Sequence, residues 1–251
     1  MDPIVTAALT SFATTVATNS SKAPLEALDN LWYLALGKFN HFVEKKKVDR
    51  QYALDEYKKS IAEKVLLIDE NDLQEPQMSI VGPALEASKY YIEEESLREM
   101  FSNIISASMD KNKASHVHHC FVEIIKQLSP EDARNIMFFK ENKSQAVVEF
   151  RGYVPNNGGY VLSNTNVFHG GSSDIFSGNV NSTSITNLSR LGLISISYDE
   201  EFNKTERYDI YRNSTYYQAL QRQSDDTMEF KLKEGIARLT PLGASFIDVC
   251  L

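Results

Sequence analysis

Three of the chain's five histidines and one of its two cysteines crowd a single segment, His116-Val117-His118-His119-Cys120. Imidazole and thiolate are good ligands for zinc or copper. Contiguous residues rarely converge on one ion without a distant further ligand, however. The spacing therefore favours a loop and a first helical turn, with Cys120 as a small buried hydrophobe, and no metal or other cofactor is expected. A second cluster, Glu93, Glu94, Glu95 and Glu99 with Glu86 upstream, holds enough carboxylates for acid–base work or magnesium. Such work needs two carboxylates whose surroundings push their pKa values apart. A carboxylate run at a helix start more simply complements the helix dipole. Gly158-Gly159 and Gly170-Gly171 lack the Lys and Ser/Thr of a phosphate loop, and no GxSxG occurs. The sequence predicts a protein that is not an enzyme.

A third set concerns nucleic acid. If residues 184–191 were a recognition helix, Asn187 and Arg190 could reach base edges or phosphates, and a following wing would offer Lys204, Arg207 and Arg212. Between Asn181 and Leu251, eight cationic side chains face ten carboxylates. A duplex binder shows a basic face, so nucleic acid is not an expected partner, and protein contact suits this region better. The tyrosines Tyr198, Tyr208, Tyr211, Tyr216 and Tyr217 suit an interface or a core.

The elements that must position these residues change character along the chain. Residues 1–23 are small and hydroxyl-rich, a marginal helix or mobile arm. Residues 24–143 read as a helical domain. Leu25, Leu28, Leu31, Trp32, Ala35, Leu36, Phe39, Phe42 and Val43 recur at helical steps, and Asp49 would cap a helix bearing Leu54, Tyr57, Ile61 and Val65. A polar connector over 69–79 leads to Pro83 at a helix first turn. Leu97, Met100, Phe101, Ile104, Ile105 and Ser108 mark a clear helical face, and Ser129-Pro130-Glu131-Asp132 combines an N-cap with an N1 proline. Residues 144–251 read as a winged-helix-like α+β region: strands at 146–150 and 160–162, a short helix stopped at Gly192, and a strand at 193–198. A tyrosine-rich hairpin or insertion follows over 199–227, then strand and a last helix capped by Thr240-Pro241. The expected fold class is α+β, mainly α.

Composition bounds the rest. The chain has 251 residues, 42% hydrophobic and 24% charged, with 34 acidic against 26 basic side chains and a net charge of −8. That is ordinary globular composition, long enough to bury a core without disulfides. Cys120 and Cys250 form no CxxC pair, which excludes a disulfide framework. No apolar run approaches the ~20 residues of a membrane span, and a cytoplasmic protein is expected. The stripe from Leu25 to Val43 exceeds what a small bundle covers, so a homo-oligomer, most simply a dimer through the N-terminal helices, is predicted.

Ile80-Val-Gly-Pro-Ala-Leu-Glu-Ala-Ser88 and Glu93-Glu-Glu-Ser-Leu-Arg-Glu-Met-Phe-Ser-Asn-Ile-Ile-Ser106 resemble the central block of the Abi-alpha (abortive infection alpha) family. Phe121–Ala133, Asn187–Ile194 and Leu239–Phe246 are similar to its later blocks. The similarity spans roughly residues 30–248. It implies a bacterial protein of phage defence, acting on a phage or host protein partner, and supplies no catalytic residues. The reading is a non-enzymatic interaction protein of abortive infection; the alternative is a winged-helix DNA-binding regulator.

Overall fold

A computed structural model describes residues 47–155, 158–171 and 181–251. The arm over 1–23 and the Leu25–Val43 stripe lie outside the described residues. The fold is α+β, and the described residues divide into two compact units. One runs to Gln127 and includes Ser245–Leu251; the other is Leu128–Ala244.

The first unit is helical. Helix α1 (Lys47–Leu66) buries Ala53, Tyr57, Ile61 and Val65, one residue per turn, while Leu54 is only half-buried. Asp49 lies within α1 and does not cap it. Helix α2 (Met78–Ser88) starts five residues before Pro83, so the proline sits inside the helix and not in its first turn. The amides of Ile80 and Val81 both reach the Gln77 carbonyl, which closes the first turn upstream of the ring. Burial of Ile80, Val81, Ala84 and Leu85 offsets the donor that Pro83 removes. Helix α3 (Glu95–Ser108) follows its expected face, burying Leu97, Met100, Phe101, Ile104 and Ile105, and packs on both α1 and α2. Helix α4 (Cys120–Ile125) is short.

The second unit opens with α5 (Pro130–Glu141), whose start is a full capping box. Ser129 Oγ accepts from the Asp132 amide at 3.1 Å, and Asp132 Oδ2 accepts from the Ser129 amide at 2.7 Å. Strands β1 (Ser144–Tyr153), β2 (Tyr160–Val167), β3 (Ile194–Ser197) and β4 (Glu229–Leu239) form one antiparallel sheet in the order β2-β1-β4-β3. Helix α6 (Ser182–Arg190) precedes β3, and the chain leaves it through Leu191 and Gly192, whose φ of 75° suits glycine. Gly235, opposite Val147 in the sheet, leaves room for a ring: a Cβ there would stand 2.5 Å from the Tyr198 side chain.

Residues 199–227 contain no strand. They form a 3-10 turn (Thr205–Tyr208), α7 (Asp209–Arg212) and α8 (Thr215–Arg222), which lay Tyr208, Tyr211, Tyr217 and Leu220 against Val148, Phe150 and Val167. These tyrosines are core. The amphipathic spacing of the insertion is helical, and burying that face against the sheet outweighs the strand propensity of tyrosine. Helix α9 (Pro241–Cys250) closes the chain, with Thr240 Oγ1 accepting from the Gly243 amide at 2.9 Å.

Candidate functional site

In the first unit, Ser60 and Lys64 stand one turn apart on α1, and Glu99 and Ser102 one turn apart on α3. Where the helices touch, the four converge. Lys64 Nζ donates to Ser60 Oγ and Ser102 Oγ at 2.6 Å each and pairs with the Glu99 carboxylate. Ser60 also donates to Glu99 Oε1 at 2.8 Å. Ser60, Lys64 and Glu99 line an open cleft of about 340 Å³ bordered by Glu56, Glu63, Glu95 and Arg98, with Ser102 buried behind them. Burial alone would raise the Glu99 pKa, but the hydrogen bonds from Lys64 and Ser60 and the ammonium charge hold it below the usual carboxylate value. Lys64 donates to every partner here, so the arrangement binds one helix to the other.

In the second unit, Glu149 and Arg151 alternate on β1 and so share one sheet face. The Arg151 Nε–H bonds Glu149 Oε2 at 2.8 Å, Thr165 donates to Glu149 Oε1 at 2.8 Å, and the guanidinium lies 4.2 Å from the Tyr160 ring centroid. Tyr198 Oη accepts from the Asn166 amide and donates to Asn166 Oδ1, both at 3.0 Å. Asn166 is held at φ 51°, where a short polar side chain is tolerated. Burial, with the Glu149 charge nearby, pushes the Tyr198 hydroxyl up to about 12. The carboxylate and guanidinium are thereby fixed to each other, and the phenol to Asn166.

The histidines, Cys120 and the carboxylates singled out by sequence do not converge on one centre. His118 Nδ1 accepts from the Cys120 amide at 3.2 Å, and His119 Nε2 bonds Ser79 Oγ at 2.8 Å. His116 ends a 3-10 turn. Burial raises the Cys120 thiol pKa and raises that of Cys250 further. Among the described residues no group of three or more His, Cys, Asp or Glu is placed to hold a metal ion. Of the carboxylate run, Glu99 pairs with Lys64, Glu86 with Lys89, and Glu95 occupies the first turn of α3. Asn187 on α6 donates to the buried Asp132 at 2.9 Å, and Arg190 donates to Asn187 Oδ1 at 2.8 Å. Arg207 lies 4.3 Å from the Phe202 ring centroid, Arg212 pairs with Asp209 and Glu234, and Lys204 is exposed. The Lys64 cluster escaped sequence reasoning, although a signal existed. Ser102 interrupts the apolar run Met100-Phe101…Ile104-Ile105, and a hydroxyl on a buried face calls for a partner.

The abortive infection alpha family model matches residues 49–250. The chain belongs to that family. The match takes in residues of both units. No curated protein and no solved structure matches the chain. Among the described residues of this Abi-alpha protein no helix is long and apolar enough to cross a membrane.

Proposed function

We propose that this Abi-alpha protein is a non-enzymatic interaction protein of bacterial antiphage defence, cytoplasmic, acting through contact with a phage or host protein. Family membership carries the reading. The commitment of the reactive groups supports it: Lys64, Glu99, Glu149, Arg151 and His119 all hold other parts of the fold. Exposed Tyr52, Leu66, Leu67 and Tyr90 offer apolar surface for protein contact. Assembly as a dimer through the Leu25–Val43 stripe is part of the same proposal.

The order α6, β3, β4, with β3 and β4 paired, supports a winged-helix-like reading of the second unit. Its use as a protein module fits better than DNA binding, because Asn187, Arg190 and Arg212 are engaged within the chain. Plaque assays on bacteria expressing the protein test the function. Fewer plaques together with death of infected cells is the expected outcome; plating equal to a vector control overturns it. Sequence-specific retention of genomic fragments at ~150 mM salt would favour the regulator, since phosphate-driven binding weakens steeply with salt.

A further inference from the structure

Strand β2 is an outer strand of the sheet, and its first half is unusual in what it exposes. Tyr160, Val161 and Leu162 are 49%, 56% and 45% exposed. Alternation sets Tyr160 and Leu162 on one face and Val161 on the other. Among the described residues, β1 is the one strand paired with β2. Sheet edges are ordinarily protected by lysine, proline or a bulge. Here the irregular pairing, opposite Val148–Arg151, and the positive φ of Asn166 fall in the second half of β2. The first half keeps a regular register, Tyr153 with Tyr160, Gly152 with Val161 and Arg151 with Leu162. The strand Tyr-Val-Leu-Ser-Asn-Thr-Asn-Val holds no Asp, Glu, Lys, Arg, His or Pro. The Tyr160 ring is already oriented by the Arg151 guanidinium and by the Tyr153 ring at 5.6 Å, so little ordering remains to be done on association.

We propose that this edge is a self-association surface, on which two copies pair their β2 strands antiparallel about a two-fold axis centred on Val161. The occupant follows from charge and from spacing. A chain of net charge −8 repels its own copy, and β2 is a stretch where that repulsion is missing. It also carries no charge with which to select an acidic or basic foreign strand. An antiparallel two-fold pairing is self-complementary. Centred on Val161, it sets Tyr160 opposite Leu162 of the partner subunit, and the reciprocal pair repeats on the same face, an aromatic–aliphatic contact of the kind that stabilises sheets. Three exposed side chains per copy make a small contact, of the transient class. The proposal does not rest on the antiphage reading: plaque assays can fail while this association stands.

Light scattering over a rising concentration series tests it: on a Phe39→Asp background, which removes the association proposed for the Leu25–Val43 stripe, the expected mass approaches twice 28.4 kDa at the top of the series. Leu162→Lys should weaken the dimer by about tenfold or more in dissociation constant, with circular dichroism unchanged because the side chain is exposed. Independently, Val161→Cys in a Cys120→Ser background should form a covalent dimer under a mild disulfide oxidant, since position 161 meets its own copy. Tyr160→Cys in the same background should cross-link far more slowly. A mass of 28.4 kDa at every concentration overturns the proposal. So does a dimer that Leu162→Lys leaves intact, or equal cross-linking of the two cysteine variants.

Discussion

Helices α1 and α3 of the first unit and the insertion over the sheet of the second are joined by different means, although the sheet itself also carries an ion pair, Glu149 with Arg151. In the helical unit, opposite charges meet: Lys64 and Glu99 pair where two helices touch, with side chains 27% and 43% exposed. In the sheet unit, neutral phenols bond the main chain. Tyr208 Oη donates to the Gly235 carbonyl at 3.1 Å and Tyr211 Oη to the Ala146 carbonyl at 2.7 Å, while Tyr217 Oη accepts from the Leu232 amide at 3.2 Å. The difference follows from what has to be joined. Two helices have their backbone groups satisfied internally, so only side chains can link them. An insertion lying over a sheet meets backbone groups that a long, neutral side chain can reach without burying a charge.

The largest effect tests whether the helical unit depends on its apolar packing more than on its charges. Phe101→Ala, at a fully buried position, should cost about 3–5 kcal/mol in urea unfolding. A loss under 1 kcal/mol would shift that weight to the Lys64 cluster. Next, Tyr211→Phe keeps the ring but leaves the Ala146 carbonyl and the His169 amide without their partner, and should cost about 1–3 kcal/mol. If it proves neutral, the tyrosines act by shape alone and the contrast between the units fails. Ser129→Ala removes a local cap that owes nothing to either strategy, and should cost about 1 kcal/mol at any ionic strength.

The smallest expected effect is the most selective. Lys64→Met should cost under about 1 kcal/mol, because the pair is partly solvated. Its pH signature separates the units. The folded-state pKa of Glu99 is depressed, so its contribution is present above the unfolded value of about 4.3 and is lost as pH falls through the folded value. The wild-type protein should therefore lose stability on acidification below about pH 4.3 by an increment that Lys64→Met lacks and Tyr211→Phe retains. Thermal melts across that range check it; parallel acid slopes for Lys64→Met and wild type would remove Lys64 from the account.

Short-range pattern decided much of this protein by itself. The face of α3, the N-cap at Ser129, the stop at Gly192 and the Thr240 cap are legible because each depends on residues within a turn or two of one another. The Abi-alpha blocks are legible for the same reason, being runs of contiguous packing residues. Beyond that range the sequence is silent or misleading. Pro83 reads as a helix start, but α2 begins upstream because burial of Ile80 and Val81 repays the missing donor. The segment 199–227 reads as a hairpin or an insertion, and the choice is made only when its tyrosines are seen to have a sheet to cover. Ser102 reads as a hydroxyl in want of a partner and Glu99 as one carboxylate of a run, but Ser60 and Lys64 are not seen to meet them until α1 and α3 are laid together across nearly forty positions of chain. Only the tertiary structure decides such meetings, because a side chain's partner is set by which faces the core brings into contact, and helical periodicity specifies a face without naming what will cover it.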